Sequence, residues 1–207
     1  MSKIAFIFPG QGAQAAGMGK DFYEQSATAR EVFDKASKLL GFSMPELCFE
    51  PNDRLDITEY TQAAMVTTSI AMMKVLEEKG VKPDVAAGLS LGEYCALAAA
   101  GVMSEEDAIK TVRQRGILMQ EAVPVGQGAM AAILALDAAA IEEVTGSMEG
   151  VWIANYNCPG QIVISGKKEA VEEACEKLKA AGAKRAVMLN VSGPFHSGML
   201  TEAGRKL

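Results

Sequence analysis

No apolar run in this sequence approaches the ~18 residues of a membrane-spanning helix. The longest, near Ala63 to Leu76, is interrupted by Thr67, Thr68, Ser69 and Lys74. The opening run Lys3 to Phe8 is too short for a signal peptide and has no cleavage-site pattern behind it. The four cysteines, Cys48, Cys95, Cys158 and Cys175, include no Cys-x-x-Cys pair. Neither a zinc site nor a disulfide framework is therefore indicated, and the thiols read as reduced. Positive charge is in deficit, with a net charge of −6, which argues against a nucleic-acid surface. A local basic patch facing an acidic partner is still compatible with that balance. No internal repeat or low-complexity segment occurs. The expectation is a soluble, cytoplasmic protein, and 207 residues suffice for one domain or one with an inserted subdomain.

What the sequence does have is a sharp signal at Val85-Ala86-Ala87-Gly88-Leu89-Ser90-Leu91-Gly92-Glu93-Tyr94. A short apolar run ends at a glycine, a serine follows, and small apolar residues open a helix behind it. Gly-x-Ser-x-Gly suits a nucleophile elbow, in which the glycines let backbone segments approach where a Cβ would clash. The serine hydroxyl would then stand at a helix N-terminus, whose free N–H groups favour negative charge. A plain strand-to-helix turn that needs glycines is the competing reading.

Residues 3–8, stopped by Pro9, read as a strand buried on both faces. Gly10-Gln11-Gly12 follows, but the next glycine is Gly17, the wrong spacing for a dinucleotide fingerprint. Such a loop can instead offer a backbone N–H to a site shared with Ser90. Helical patterns cover about 18–25 and 28–40, with Gly41 as the stop. Residues 50–58 are loop-like. A helix over 60–79 is apolar on most of its faces and should be buried. Strand 84–88 and helix 91–100 flank the elbow, and Ser104 caps a helix running to about 122. On composition alone, Arg113 and Arg115 in that helix are solvated-face residues. After the boundary marked by Pro124, Gly126 and Gly128, the pattern reads strand 129–136, helix 137–147, strand 151–155, a turn at 157–160, strand 161–165, helix 167–181 and strand 184–191. That is the βαββαβ order of a ferredoxin-like subdomain. His196, the only histidine, follows on a loop beside Gly193 and Pro194. If Ser90 needs an imidazole base, it has one candidate.

Taken together, the ordered segments Phe8-Pro9-Gly10-Gln11-Gly12-Ala13-Gln14, Thr61-Gln62, Gly88-Leu89-Ser90-Leu91-Gly92, Arg115-Gly116, Met119 to Pro124, Gly128-Ala129-Met130, Asn155-Tyr156-Asn157 with Pro159-Gly160-Gln161, and Gly193-Pro194-Phe195-His196-Ser197 resemble the malonyl-CoA:acyl carrier protein transacylases of fatty-acid synthesis. The resemblance runs the length of the chain. It implies an α/β-hydrolase-like core with a parallel sheet, formed by 1–126 and 191–207, and an inserted ferredoxin-like subdomain at 127–190. It implies Ser90 as the nucleophile that carries the acyl ester and His196 as its base. The backbone N–H groups of Gln11 and Leu91 would form the oxyanion hole, and Arg115 would hold the malonate carboxylate as a bidentate pair. Asn155 and Asn157 would line the cleft, and Phe195 would narrow the acyl pocket. Malonyl-CoA and the phosphopantetheine of acyl carrier protein are the implied substrates, with no metal, cofactor, nucleic acid or membrane involved.

Two departures bear on these expectations. Leu89 stands where the family usually has histidine before the nucleophile, so the substrate range is open. Family members also continue beyond the position of Leu207, with further helices, a core strand and a glutamine-containing loop through which a backbone carbonyl orients the histidine. On that ground a chain of this length is expected to be a shortened member with little transferase activity and an exposed apolar surface. A serine esterase, which would need an acid between Ser90 and His196, and a carrier-docking domain without turnover are the other readings.

Overall fold

The computed structural model describes residues 3–124, 126–191 and 193–207. They divide into two compact units, 1–117 and 118–207.

The first unit begins with strand β1 (Ala5–Phe8), followed by α1 (Lys20–Gln25), α2 (Ala27–Leu40), α3 (Met44–Phe49) and α4 (Thr58–Glu78). Strand β2 (Val85–Gly88) then pairs with β1 in parallel, Phe8 opposite Gly88. Helices α5 (Gly92–Ala99) and α6 (Glu105–Ala122) follow, and the division between units falls inside α6. The buried helix expected near 60–79 is α4, which buries residues on all sides, Met65, Val66 and Ile70 among them. Gly41 ends α2 in the left-handed conformation (φ 76°), where glycine meets no Cβ penalty. Ser104 accepts a hydrogen bond from the Asp107 N–H at 3.0 Å, the expected cap of α6.

Two expectations need correction. Strand β1 is not buried on both faces: Phe8 is 6% exposed but Ile7 is 77% exposed. The parallel sheet of the described residues has two strands, and α5 packs against both. Helix α3 lies where the sequence pattern indicates no element. Its signal is Ser43-Met44-Pro45-Glu46, with the Ser43 hydroxyl accepting from the Glu46 N–H at 3.2 Å and proline in the first turn.

The second unit contains β3 (Gly128–Leu134), α7 (Ala138–Gly146), β4 (Val151–Cys158), β5 (Gln161–Lys167), α8 (Lys168–Ala180) and β6 (Arg185–Met188). The four strands form an antiparallel sheet in the order β4-β5-β3-β6, so the βαββαβ succession is present. Strand β4 runs three residues beyond the expected 155, with register shifts after Ile153 and after Tyr156, so Asn157 lies on the strand rather than in the turn. Strand β6 stops short of 191, although Leu189 still donates to the Met130 carbonyl at 2.8 Å. Ile133, Ile164, Val171 and Leu178 fill the core between the sheet and its helices. The chain closes with a single 3-10 turn (Gly198–Leu200) and α9 (Thr201–Lys206). Among the described residues no helix is long and apolar enough to cross a membrane.

Glycine at 116 is what allows α6 to lie against the start of α4. A Cβ there would stand 2.6 Å from the Glu59 Cα and 3.0 Å from the Thr58 carbonyl oxygen, both backbone. Gly116→Ala should therefore destabilise the protein by ~1–3 kcal/mol. Gly146→Ala, where a Cβ would meet nothing within 4 Å, should instead stabilise by ~0.4–1 kcal/mol. Urea denaturation of the two variants beside the parent chain measures both signs.

Candidate active site

The elbow forms where the sequence places it. A Cβ on Gly92 would stand 2.5 Å from the Phe8 carbonyl oxygen, and one on Gly88 would collide with the Gly92 carbonyl. Both glycines are therefore required by close approach. The Leu89 N–H donates to the Phe8 carbonyl at 3.1 Å, and a Cβ on Gly10 would meet Leu89 at 3.0 Å. These contacts set the loop carrying Gln11 alongside the elbow. That loop is held by its own polar contacts. The Gln11 Nε2 donates to Thr58 Oγ1 at 3.2 Å, and the Gly12 N–H donates to Gln14 Oε1 at 2.8 Å.

Ser90 has φ 53°, one of three non-glycine residues with positive φ among those described. An L-residue in this region costs ~1–2 kcal/mol. Such strain persists where the surroundings over-determine it, and it concentrates at functional positions. His196 (φ 56°) is another of the three. Leu91 is buried at the start of α5, where backbone N–H groups have no intrahelical acceptor.

Arg115 departs from the composition-based reading. It is half-buried, and its guanidinium donates from Nη2 to Ser90 Oγ at 3.0 Å and from Nη1 to Gln62 Oε1 at 2.8 Å. Burial pulls its pKa below the ordinary arginine value, while Tyr94 and Glu93 act in the opposite direction. Arg113 is not solvated either. It pairs with Glu59 at 2.5 Å and lies over the rings of Tyr60 (4.4 Å to the centroid) and Phe42 (5.6 Å). The reason is shared: the close approach at Gly116 brings this stretch of α6 onto the first turns of α4. The pairing of Gln62 with Arg115 spans 53 residues, and no local sequence signal announces it beyond the Thr61-Gln62 segment itself.

Two other potential nucleophiles in the first unit are disabled. Burial pushes both the Cys48 and the Cys95 thiol up to about 12, so both stay protonated at neutral pH. Leu89, in contrast, is 52% exposed at the elbow.

In the second unit, His196 is exposed on the loop after β6. The Ser197 hydroxyl donates to the Pro194 carbonyl at 2.7 Å, bracing the turn around it. Phe195 is buried among Met119, Met130, Ala132 and Val163, which makes it the anchor of this loop. Asn155 is half-buried on β4, and Asn157 is exposed at the end of that strand.

The strain at Ser90 has a measurable consequence. Ser90→Ala and Ser90→Gly both remove the hydroxyl, but only alanine keeps the penalty of a Cβ at φ 53°. At ordinary positions alanine is the more stable of the two; here glycine should be equal or better by up to ~1 kcal/mol. Paired denaturation curves of the two variants check this.

Comparison with known proteins agrees with the geometry. Residues 5–207 match the acyl transferase domain family. The malonyl CoA-acyl carrier protein transacylase of Bacillus subtilis (strain 168) is 54% identical over 212 residues, covering 100% of this chain and 67% of that protein. The crystal structure of the malonyl CoA-acyl carrier protein transacylase from Clostridium perfringens superposes with a TM-score of 0.95 at 47% identity, covering 99% of this chain and 66% of that one. A malonyl-transacylase in complex with its type II PKS acyl-carrier protein superposes with a TM-score of 0.94 at 44% identity, covering 99% and 68%. The chain thus spans about two thirds of the length of these relatives. With a whole-chain match, high identity and the elbow in place, it belongs to the acyl transferase domain family, among the malonyl-CoA:acyl carrier protein transacylases.

Proposed function

We propose that Ser90 accepts a malonyl group from malonyl-CoA as an ester and passes it to the phosphopantetheine thiol of an acyl carrier protein, supplying fatty-acid synthesis. The observation that carries this reading is the Arg115 guanidinium, half-buried and 3.0 Å from Ser90 Oγ. In a malonyl ester the free carboxylate lies only a methylene beyond the ester carbonyl. A planar, permanently charged donor this close to the nucleophile is suited to such a carboxylate, in a bidentate geometry that lysine cannot match.

The chemistry in this reading is a two-step exchange. Ser90 Oγ attacks the thioester carbonyl and its proton passes to His196. The tetrahedral oxyanion is held by the N–H groups of Gln11 and Leu91, an arrangement that can supply several kcal/mol. Collapse breaks the C–S bond, and coenzyme A leaves with the proton from the imidazolium. The carrier thiol then attacks the Ser90 ester with His196 as base, and the proton finally returns to Ser90 Oγ. A thioester is more reactive than an amide, so a serine–histidine pair is chemically adequate. In the resting arrangement Arg115 Nη2 donates to Ser90 Oγ, so the hydroxyl oxygen is the acceptor in that contact.

The second unit contributes His196 in this reading, with Phe195, Asn155 and Asn157 on the substrate side. The backbone strain at His196 supports the first of these roles. We assign residues 1–126 and 191–207 to an α/β-hydrolase-like core and 127–190 to a ferredoxin-like insertion. The self-contained antiparallel sheet of β3 to β6 supports the insertion at 127–190, while 191–207 falls by contacts in the second unit, where Phe195 packs on that sheet. A cytoplasmic location and the carrier protein as partner belong to the same proposal. The solved complex of a relative with its acyl-carrier protein supports the latter.

Incubation with malonyl-CoA should add one malonyl mass to the peptide containing Ser90 and nothing to a Ser90→Ala chain. Arg115→Ala should lose malonyl loading by a factor corresponding to ~2–5 kcal/mol, while acetyl loading holds or rises. Intact-mass kinetics with the two thioesters measure both; equal losses for both acyl groups refute the selectivity role.

A further inference from the structure

The contact between α4 and α6 sorts charge. Helix α4 presents Glu59 and Gln62 one turn apart, and α6 presents Arg113 and Arg115. The carboxylate of Glu59 goes to Arg113 at 2.5 Å, whereas Arg115 receives the neutral amide oxygen of Gln62 at 2.8 Å and the Ser90 hydroxyl. Gln62 is 1% exposed, so its partnership with Arg115 is not diluted by water. Arg113 also lies over the Tyr60 ring, with Arg54 within 4.2 Å of the same ring centroid. The acidic partner is thus held by the arginine farther from the nucleophile, and the nearer arginine keeps its charge. Glu93 also acts on Arg115, but it is exposed and no direct pair forms between them.

We infer that Gln62 is a specificity-determining positioning residue: its buried neutral amide orients Arg115 without neutralising it, leaving the guanidinium charge for the carboxylate of the incoming acyl group. A carboxylate in the same place would orient Arg115 equally well but would occupy the charge the substrate needs. A buried carboxylate–guanidinium pair is a strong competitor because it is fixed in place and requires no ordering on binding. The inference rests on the assignment of Arg115 to the substrate carboxylate.

Gln62→Glu, nearly isosteric, is the test, with Gln62→Met as a neutral control of similar volume. Loading of Ser90 by malonyl-CoA and by acetyl-CoA is followed by intact mass on the full chain over a range of thioester concentrations, alongside thermal melting. Gln62→Glu should raise the malonyl-CoA concentration for half-maximal rate by about 10–100-fold, the usual range for losing a charge-assisted hydrogen bond. Acetyl loading should stay within about threefold, and the melting temperature should not fall, because the new carboxylate finds a partner. Gln62→Met should lose less malonyl loading than Gln62→Glu and keep its preference for malonyl. Loss of both acyl groups alike in Gln62→Glu, retention of both, or failure of that variant to fold overturns the inference. A parent chain that loads both acyl groups equally, or neither, overturns the reading of Arg115 and this inference with it. Loss of malonyl loading in Arg115→Ala with none in Gln62→Glu overturns this inference alone.

Discussion

The first unit depends on backbone approaching backbone at Gly88, Gly92 and Phe8. With a Cβ at either glycine the chain could not turn between β2 and α5. The turn in turn forces Ser90 to φ 53°. The strain of ~1–2 kcal/mol is offset by packing it does not share, since Leu91 and Cys95 are fully buried on the helix that follows. A serine set at the start of a helix, with its side chain clear of the sheet, is the product.

A second close approach supplies the charge. Gly116 lets α6 lie against the first turns of α4, and this brings Arg115 to Ser90 from a position 25 residues later in the chain. Both approaches end in electrostatics. The elbow sets Ser90 at the N-terminus of α5, and the helix contact provides a guanidinium whose partial burial strengthens its attraction for an anion. The thiols of Cys48 and Cys95, both pushed up to about 12 by burial, stay protonated at neutral pH.

What the sequence made legible follows from how local each signal is. The elbow, the Ser104 cap, the Gly41 stop and the βαββαβ succession are written in residues close together, and each is present. The roles of Arg113 and Arg115 were not legible from composition, because burial of a charged helix face is decided by a partner helix about 50 residues away. The Gln62–Arg115 hydrogen bond spans 53 residues. The exposure of Ile7 is hidden from the sequence for the opposite reason: an apolar strand reports that it could be buried on both faces, not that a layer covers each. Helix α3 escaped notice because it is a single short segment with no amphipathic period to reveal it, only a cap.

The second unit repeats the logic of the first in another material. His196 adopts φ 56° without glycines to either side forming an elbow. Its loop is fixed by anchors instead. Pro194 fills the space above Gly128, where a Cβ would stand 2.5 Å from the proline Cγ. Phe195 is driven into the cluster with Met119, Met130 and Val163, and the Ser197 hydroxyl closes the turn onto the Pro194 carbonyl. A bulky buried neighbour on one side and a hydrogen-bonded turn on the other leave the residue between them little choice of backbone conformation. The positive φ of His196 accompanies a loop anchored by Pro194 and Phe195, as that of Ser90 accompanies the tight turn between β2 and α5. In each unit close packing constrains the backbone that carries the side chain, at the glycines on either side of Ser90 and at Pro194 and Phe195 before His196.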